Sequence, residues 1–401
     1  MKYLVLAISG AADHPAEEFD GKTPFEVAKI LNLNHFVKIG KVGLAKLAPD
    51  RLEPSSDATF LNLLGYDADK VYTGRGPLEA ANLELKLEDD EIAFRMNFIT
   101  ESGGLLADPT AGRLSTKEAR ALINFLNKKV ASDFVRFFPG TEYRHIAVIK
   151  DSHGFEALSA KTTAPDAFIG EHLEAHFPKG PGEELLKKLM YDAKLLLQDH
   201  EINQVRIDLQ ENPANMIWLW GQGRKPKLEK FSDRFGISGA VVAGAEYAKG
   251  AARLAGLTVL ETPDGKGEAE ANYEKTNRAM LEALNEKDFV CVHLDACDEA
   301  SRAGDRKAKV SALEAIDFFV FSKAKEYLEQ YKDVRVLVTP CHATPWKLRK
   351  HVRDWVPFVV AGKNVMPEKG VRIEKFSELA AKNSDTKMAK SGELMATFLA
   401  K

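Results

Sequence analysis

The stretch "DVRVLVTPCHATP", Asp333–Pro345, joins an apolar segment to a polar turn. Its first part, VRVLV, is rich in β-branched apolar residues and is typical of a buried strand. Cys341 and His342 follow directly, so we expect them side by side on the turn after that strand. The pair is consistent with a metal site, with a nucleophile and its base, or with two residues that fill space, and the stretch alone does not decide among these.

Strand and helix patterns alternate on the N-terminal side of this stretch. The segment "GAVVAG" is followed by "AEYAKGAARLAG", "LTVLET" by "NYEKTNRAMLEALNE", and "DFVCVHLD" by "KVSALEAIDFFVFSKAKEYLEQY". Such alternation predicts an α/β fold, with a doubly wound, mostly parallel sheet covered by helices on both faces. The N-terminal segment "YLVLAI" is predicted to join this later sheet. The segment "TPFEVAKILN" is predicted to be one helix, with Thr23 as its cap and Pro24 at its first position.

The middle of the chain has a different pattern. We predict a hairpin from "EIAFRMNFIT" and "GLLADPT", an amphipathic helix from "STKEARALINFLNKKV", and a strand pair from "VRFFPGTEYRHIAVIK". These elements indicate an inserted α+β domain. The predicted limits are 1–75 plus 170–401 for the core domain and 76–169 for the insert.

Composition excludes some classes of partner. The chain has 401 residues, of which 45% are hydrophobic and 29% charged, and its formal net charge is -3. This balance gives no electrostatic reason to expect nucleic acid or an anionic membrane as a partner. The longest apolar runs are strand-sized and fall short of the roughly 18 residues that a membrane span needs. Three cysteines make no disulfide framework, so we expect a reducing compartment, the cytoplasm.

Candidate functional residues lie at three predicted strand ends: "AISGAAD", "HLDACDEASRAGD" and "TPCHATP", with His351 beyond the third. Loops at the C-terminal ends of parallel strands can converge on one site. Ser56, in "EPSSDATF", is a further candidate. Each residue also has an ordinary structural explanation, since Ser56 can cap a helix, Cys341 can fill the core, and Asp298 can favour a helix dipole. Spacing alone therefore does not establish an active site.

Longer motifs carry a resemblance to a known family. The sequence resembles the archaeal-type, cofactor-independent phosphoglycerate mutases of the alkaline phosphatase superfamily along essentially the whole chain. The motifs that carry it include "GKTPFEVAK", "SSDATFLNLLGYDADKVYTGRGPLEAAN", "FRMNFIT", "YRHIAVIK", "NPANMIWLWGQGRKP", "GAVVAGAEYAKGAARLAGL", "NYEKTN", "DEASRAGDRKAKVSALEAID" and "TPCHATPWKLRKHVRDWVPFVV". The form "WLWGQG" also resembles a subgroup proposed to act as homoserine kinases.

The resemblance implies a fold, a reaction and a set of residues. It implies an alkaline-phosphatase-like core with a substrate-capping insert, and the interconversion of 2- and 3-phosphoglycerate through a phosphoserine beside two divalent metals, manganese or zinc. Ser56 matches the nucleophile. The residues implied to bind substrate are Arg75, Arg95, Arg144 and His145, and those implied to bind metal are Asp298, Cys341, His342 and His351.

Three positions depart from the family pattern. Ser9 and Cys341 stand where the family has aspartates, and Arg302 stands where it has a histidine, four residues after Asp298. A thiolate at Cys341 would favour zinc over manganese. The guanidinium of Arg302 cannot deprotonate, so it would repel a metal. We expect it either to bind an anionic group of the substrate or to pair with Asp298 or Asp305 and close the vacated pocket. These changes predict at most one, weakly held divalent metal, and they leave catalysis open.

Three hypotheses follow for the function. The first is a phosphoglycerate-mutase-like protein that binds a small phosphorylated carboxylate at an altered metal site. The second is a homoserine kinase-like phosphotransferase. The third is a non-catalytic binding or partner subunit, in a homo-oligomer or beside an active paralogue.

Overall fold

The computed structural model describes residues 1–151, 154–262, 269–368 and 373–400. The chain divides into two compact units: the core unit, Met1–Tyr72 with Lys227–Lys401, and the second unit, Thr73–Pro226. Residues 170–226, which sequence analysis assigned to the core domain, belong to the second unit, because strand Met216–Gly223 pairs with strand Glu91–Ser102. Within the described ranges, no helix is long and apolar enough to cross a membrane.

The helices and strands are numbered along the chain. The helices are α1 Pro24–Val27, α2 Leu31–Ile39, α3 Ser56–Leu63, α4 Ala68–Val71, α5 Arg75–Asn82, α6 Thr116–Lys129, α7 Leu173–His176, α8 Glu183–Leu197, α9 Glu201–Asp208, α10 Phe231–Phe235, α11 Glu246–Leu254, α12 Ala269–Glu286, α13 Ala296–Ala303, α14 Arg306–Ile316, α15 Ser322–Gln330, α16 Glu378–Lys382 and α17 Glu393–Leu399. The strands are β1 Lys2–Ile8, β2 Lys41–Ala45, β3 Glu91–Ser102, β4 Leu105–Asp108, β5 Val135–Thr141, β6 Arg144–Lys150, β7 Met216–Gly223, β8 Gly239–Ala243, β9 Thr258–Glu261, β10 Phe289–Leu294, β11 Val334–Pro340, β12 Val356–Gly362 and β13 Lys387–Met388.

The core unit contains an eight-stranded sheet in the order β13-β2-β12-β11-β1-β10-β8-β9. Only β12 runs against its neighbours in this described sheet; the remaining pairings are parallel. Strand β1 lies between β10 and β11, with Val5 opposite Cys291 on one side and Leu337 on the other. Strands β10 and β11 are buried along their whole length, and β1 is buried from Tyr3 to Ile8. The predicted α/β fold and the placement of the N-terminal strand in the later sheet are confirmed.

The second unit has its own antiparallel sheet, in the order β4-β3-β6-β5, with β7 on the other side of β3. The predicted hairpin is β3 and β4, the predicted helix is α6, and the predicted strand pair is β5 and β6. Helix α6 begins after Ser115, whose backbone N–H donates to the carboxylate of Glu118 at 2.8 Å. A separate apolar core fills this unit, with Trp218, Phe94 and Phe98 fully buried.

The predicted helix over "TPFEVAKILN" is instead two helices, α1 and α2. The backbone leaves the helical conformation at Ala28, and α2 begins at Leu31. The break has a tertiary cause. The buried carboxylate of Asp317 accepts hydrogen bonds from the backbone N–H groups of Asn32 at 3.1 Å and Leu33 at 2.8 Å, so it satisfies the free donors of a new helix N-terminus.

Candidate active site

The predicted strand ends meet at one edge of the core sheet. Ser9 follows β1, Asp298 lies in α13 after β10, and His342 follows β11, and these three strands are neighbours in the order β10-β1-β11. Gly10 allows the close approach of α13. It has φ +66°, and a Cβ atom there would stand 2.6 Å from the Cα atom of Asp298. Only glycine fits between this turn and Asp298 without displacing one of them.

Three side chains at this edge form a group that is suited to metal binding. Each of Asp298, His342 and His351 offers one ligand atom, and these atoms lie within 4.8 Å of one another. A bridge between Ala343 and Val352 turns the chain back, so that the rings of His342 and His351 have centroids 4.2 Å apart. Asp298 and His342 are buried, and His351 is only partly exposed. Three of the four predicted metal ligands therefore come together.

A chain of hydrogen bonds determines which ring nitrogen of His342 carries the proton. Ser9 Oγ lies 3.0 Å from His342 Nε2, and Thr344 Oγ1 lies 2.9 Å from His342 Nδ1. The hydroxyl of Thr344 donates to Asp298 Oδ1 at 2.7 Å, since an ionised carboxylate only accepts. The proton on His342 is therefore on Nδ1 and is donated to Thr344, and Nε2 carries the lone pair that accepts from Ser9.

The charges of the group favour a cation. Burial lowers the pKa of His342 to about 3, and His351 acts in the same direction while Asp298 opposes it, so the imidazole is neutral. Burial raises the pKa of Asp298, but His342, His351 and the Thr344 hydroxyl outweigh it and hold that pKa well below its ordinary value. A neutral imidazole and an ionised carboxylate are the forms that bind metal, so His342 and Asp298 need lose no proton first.

Ser56 lies beside this group. It is the first residue of α3, and its Oγ is 3.3 Å from His351 Nε2. The capping role considered for Ser56 belongs to Ser55, whose hydroxyl accepts from the backbone N–H of Ala58 at 3.4 Å. Asp57 binds the hydroxyl of Tyr72 at 2.8 Å. The Ser56 hydroxyl is thus directed toward His351.

Two predicted site residues are not members of this group. Cys341 is fully buried and is not one of the ligand atoms that come together in the described residues. Burial raises its pKa well above the ordinary value, and Cys291 and Asp298 add to that effect, so the thiol is protonated and a poor ligand. Arg302 lies one turn after Asp298 on α13 with an exposed side chain.

The donor set fits one divalent ion and does not fit two. Two imidazoles and a carboxylate match the three protein ligands of catalytic metal sites, which leave a position for substrate. Among the residues that the structure describes, no second group of three such side chains occurs. The hydroxyl of Ser9 is hydrogen-bonded to His342, and Cys341 is not part of the group, so neither residue supplies a missing carboxylate there.

The second unit contains a basic cluster of its own, formed by the predicted residues Arg75, Arg95, Arg144 and His145. Arg75 Nε donates to buried Glu79 at 2.8 Å, and Arg95 Nη1 donates to the same carboxylate oxygen. Both guanidinium groups lie over the ring of Trp220, at 5.8 Å and 5.5 Å from its centroid. One carboxylate is therefore shared by two guanidinium groups.

His145 is neutral in this cluster. Burial lowers its pKa to about 3, and Arg95 and Arg144 add to that effect. Its Nδ1 accepts from the backbone N–H of Gly140 at 3.0 Å, so its proton is on Nε2. Within the described part of the chain, this buried Nε2–H has no hydrogen-bond partner. It is therefore an unsatisfied buried donor.

Sequence reasoning missed Thr344, although it lies in the opening stretch two residues after His342. A threonine after a strand carries no ligand signal, because its role arises from a contact with Asp298, 46 positions away along the chain. It also missed the buried ion pair of Lys309 and Asp13. A lysine at a regular position in a helix gives no indication in sequence that it is buried.

The chain is similar to known proteins over its whole length. Residues 38–203 match a family model described as 2,3-bisphosphoglycerate-independent phosphoglycerate mutase. A protein of that name from Methanothrix thermoacetophila is 36% identical over 401 residues, which is 100% of both chains. Another, from Methanothermobacter thermautotrophicus, is 38% identical over 378 residues, covering 94% of this chain and 92% of the relative.

Solved structures agree with this similarity. A cofactor-independent phosphoglycerate mutase from Thermoplasma acidophilum is 25% identical, has a TM-score of 0.61, and is matched over 100% of this chain and 99% of its own. A protein from Pyrococcus horikoshii has the same fold, with a TM-score of 0.78 at 24% identity over 99% of this chain and 96% of its own.

Proposed function

Because this chain belongs to the 2,3-bisphosphoglycerate-independent phosphoglycerate mutase family, we propose that it binds phosphoglycerate, a small phosphorylated carboxylate, and transfers its phosphoryl group through Ser56. The observation that carries this proposal is the position of Ser56. Its hydroxyl lies 3.3 Å from His351, at the edge of the group formed by Asp298, His342 and His351. A nucleophilic hydroxyl beside such a group is the arrangement that phosphoryl transfer through a serine requires.

The proposed transfer conserves atoms and protons. The Ser56 oxygen forms a bond to phosphorus, the bond from phosphorus to the substrate oxygen breaks, and the Ser56 proton passes to that oxygen, which leaves as a hydroxyl. The reverse step delivers the phosphoryl group to the other hydroxyl of glycerate and restores Ser56. As the first residue of α3, Ser56 would carry its phosphate at a helix N-terminus, where free N–H groups and the helix dipole favour negative charge.

We propose that one divalent ion, manganese or zinc, is held by Asp298, His342 and His351. Imidazole and carboxylate ligands suit either metal. When bound, the ion would stabilise charge on the phosphoryl oxygens and lower the pKa of a bound hydroxyl. The donor set fits one ion where the family resemblance implies two, so we expect slower turnover than a two-metal site would give.

A donor set that fits only one ion also favours a second candidate, a protein that binds phosphoglycerate without turnover.

For the second unit, we propose anion binding by Arg75, Arg95, Arg144 and the Nε2–H of His145, because planar guanidinium groups bind phosphate and carboxylate well. A contribution of Arg302 to anion binding stays a prediction. We also propose a cytoplasmic location and no nucleic-acid or membrane partner, in keeping with the balanced charge and free cysteines.

The test follows the phosphorus signals of 2- and 3-phosphoglycerate by NMR, with manganese or zinc added. We expect slow interconversion that Ser56→Ala abolishes. Ser55→Ala is the matched control, since it removes the helix cap at a cost of about 1 kcal/mol and leaves the nucleophile. Elemental analysis of protein purified without chelator should give one ion per chain.

Other outcomes separate the candidates. Phosphoglycerate binding by calorimetry, without interconversion at any metal concentration, would identify the non-catalytic protein. Transfer from ATP to homoserine would identify the kinase-like alternative. Interconversion that survives Ser56→Ala would contradict the proposed nucleophile.

A further inference from the structure

Lys309 is a buried cation that the proposed transfer does not use. It lies in α14, its side chain is fully buried, and its ammonium donates to Asp13 Oδ2 at 2.6 Å, to the Thr344 carbonyl at 3.1 Å and to the Ala12 carbonyl at 3.4 Å. A buried ammonium is costly unless its donors are paired. Here three acceptors match its three N–H groups, and the ammonium holds these acceptors together.

The acceptors belong to two of the loops that form the candidate active site. Ala12 and Asp13 follow β1, on the loop that begins with Ser9, and Thr344 follows β11, on the loop of His342. The loops are also joined directly. The backbone N–H of Thr344 donates to the Ala12 carbonyl at 3.1 Å, and the backbone N–H of Trp346 donates to Asp13 Oδ2 at 3.2 Å. Asp13 and Lys309 therefore hold the loop after β11 against the loop after β1.

Thr344 connects these loop contacts to the group of Asp298, His342 and His351. Its carbonyl accepts from Lys309, while its hydroxyl donates to Asp298 at 2.7 Å and accepts from Nδ1 of His342 at 2.9 Å. The hydroxyl position decides which nitrogen of His342 carries the proton. If Thr344 moves, Nδ1–H loses its acceptor, and the tautomer with the proton on Nε2 becomes competitive.

We infer that Lys309 and Asp13 form a positioning pair, which holds Thr344 so that His342 keeps its proton on Nδ1 and its lone pair on Nε2. The pair touches neither substrate nor metal ligand directly and acts through Thr344. Its value for metal binding rests on the proposed function, whereas its effect on the His342 tautomer does not. A buried ion pair is by itself weak evidence for stability. The role in orienting Thr344 is therefore measured through the His342 tautomer.

The test is NMR of the protein with 15N-labelled histidine, in which one-bond and long-range couplings distinguish the two imidazole tautomers. The His342 signals are identified by their loss in His342→Gln. We expect the wild type to show the Nδ1–H tautomer, and Lys309→Met to shift His342 at least partly to the Nε2–H tautomer. Zinc affinity, measured by calorimetry, should fall at least tenfold in the same variant.

The matched control is Arg335→Met. Arg335 is also a buried cation, at the opposite end of β11, where it donates to the carbonyls of Lys363, Phe398 and Ala400. Its loss should lower stability and leave the His342 tautomer and zinc affinity unchanged. If Lys309→Met does not fold, the double variant Asp13→Asn/Lys309→Met removes both charges and allows the same measurement.

The outcomes are separable from those of the proposed function. An unchanged His342 tautomer in folded Lys309→Met or in the double variant would overturn the inference. An equal tautomer shift in Arg335→Met would also overturn it, because loss of stability would then explain the effect. If the wild type binds no zinc, the proposed metal site fails, and the tautomer measurement still decides the role of Lys309.

Discussion

At the residue scale, Gly10 determines how closely Asp298 approaches the first strand. A Cβ at this position would meet the backbone of Asp298, and its φ of +66° disfavours any other residue. We predict that Gly10→Ala lowers the free energy of unfolding by more than about 2 kcal/mol and abolishes zinc binding, since strain and overlap add. Urea denaturation and zinc calorimetry measure the two effects.

Gly21→Ala is the control for that prediction. Gly21 has a similar φ of +74°, but nothing lies within 4 Å of the added Cβ. This variant should show only the cost of backbone strain, about 1 kcal/mol, with zinc affinity unchanged. Equal losses of stability in the two variants, or full zinc affinity in Gly10→Ala, would contradict the role assigned to Gly10.

The site residues that sequence analysis could identify are those that stand in recognisable motifs. Ser56, Asp298, His342 and His351 stand in motifs that carry the family resemblance, and the structure places all four at one edge of the core sheet. Thr344 and Lys309 were not identifiable, since their roles depend on contacts made across the fold. The protonated state of Cys341 was also hidden, because it results from burial.

At the element scale, the short helix α16 is joined to the N-terminal loops through its first residue. The Glu378 carboxylate accepts from the backbone N–H of Asp13 at 3.0 Å and from the Thr23 hydroxyl at 2.6 Å. Burial raises the pKa of Glu378 to about 7, although these two hydrogen bonds and the charge of Lys309 oppose the rise. The folded protein therefore binds a proton at this carboxyl that the unfolded chain has already released.

This raised pKa predicts a pH dependence of stability. The contribution of Glu378, at most about 3 kcal/mol, is fully present below its ordinary pKa of 4.5 and is lost as pH rises through about 7. Glu378→Gln stays neutral, so it should be more stable than the wild type at pH 8 and about equally stable at pH 4. Denaturation at both values measures this, with Glu393→Gln at the start of α17 as control. A wild-type advantage at pH 8 would contradict the predicted sign.

Elements with strong periodicity were predictable, and their ends were less so. Helix α6 and strands β3 to β6 lie where their patterns indicated, because each pattern is complete within its own segment. The division of "TPFEVAKILN" into α1 and α2 was not predictable, since the side chain that begins α2 is Asp317, 285 positions away from Asn32. The extent of the second unit was missed for a similar reason: β7 joins its sheet from far along the chain.

At the scale of the whole molecule, the chain has two units with separate apolar cores and separate candidate ligand groups. The candidate metal site of Asp298, His342 and His351 lies entirely in the core unit, and the arginine cluster lies entirely in the second unit. An ion that binds only the folded core unit should stabilise that unit by mass action, by about 2.7 kcal/mol at a free concentration one hundred times its dissociation constant.

We therefore predict a localised effect of zinc on amide hydrogen exchange measured by mass spectrometry. Exchange should slow in the core unit, most strongly in peptides that cover 9–13, α13 and 341–352, because their loops carry the ligands or hold them in place. Peptides from β3 and β6 of the second unit should be unchanged. His351→Ala supplies the control, since it removes one ligand and should abolish the protection. Slowing in the second unit alone, or protection that persists in His351→Ala, would show that zinc binds elsewhere and that the three side chains do not form the metal site.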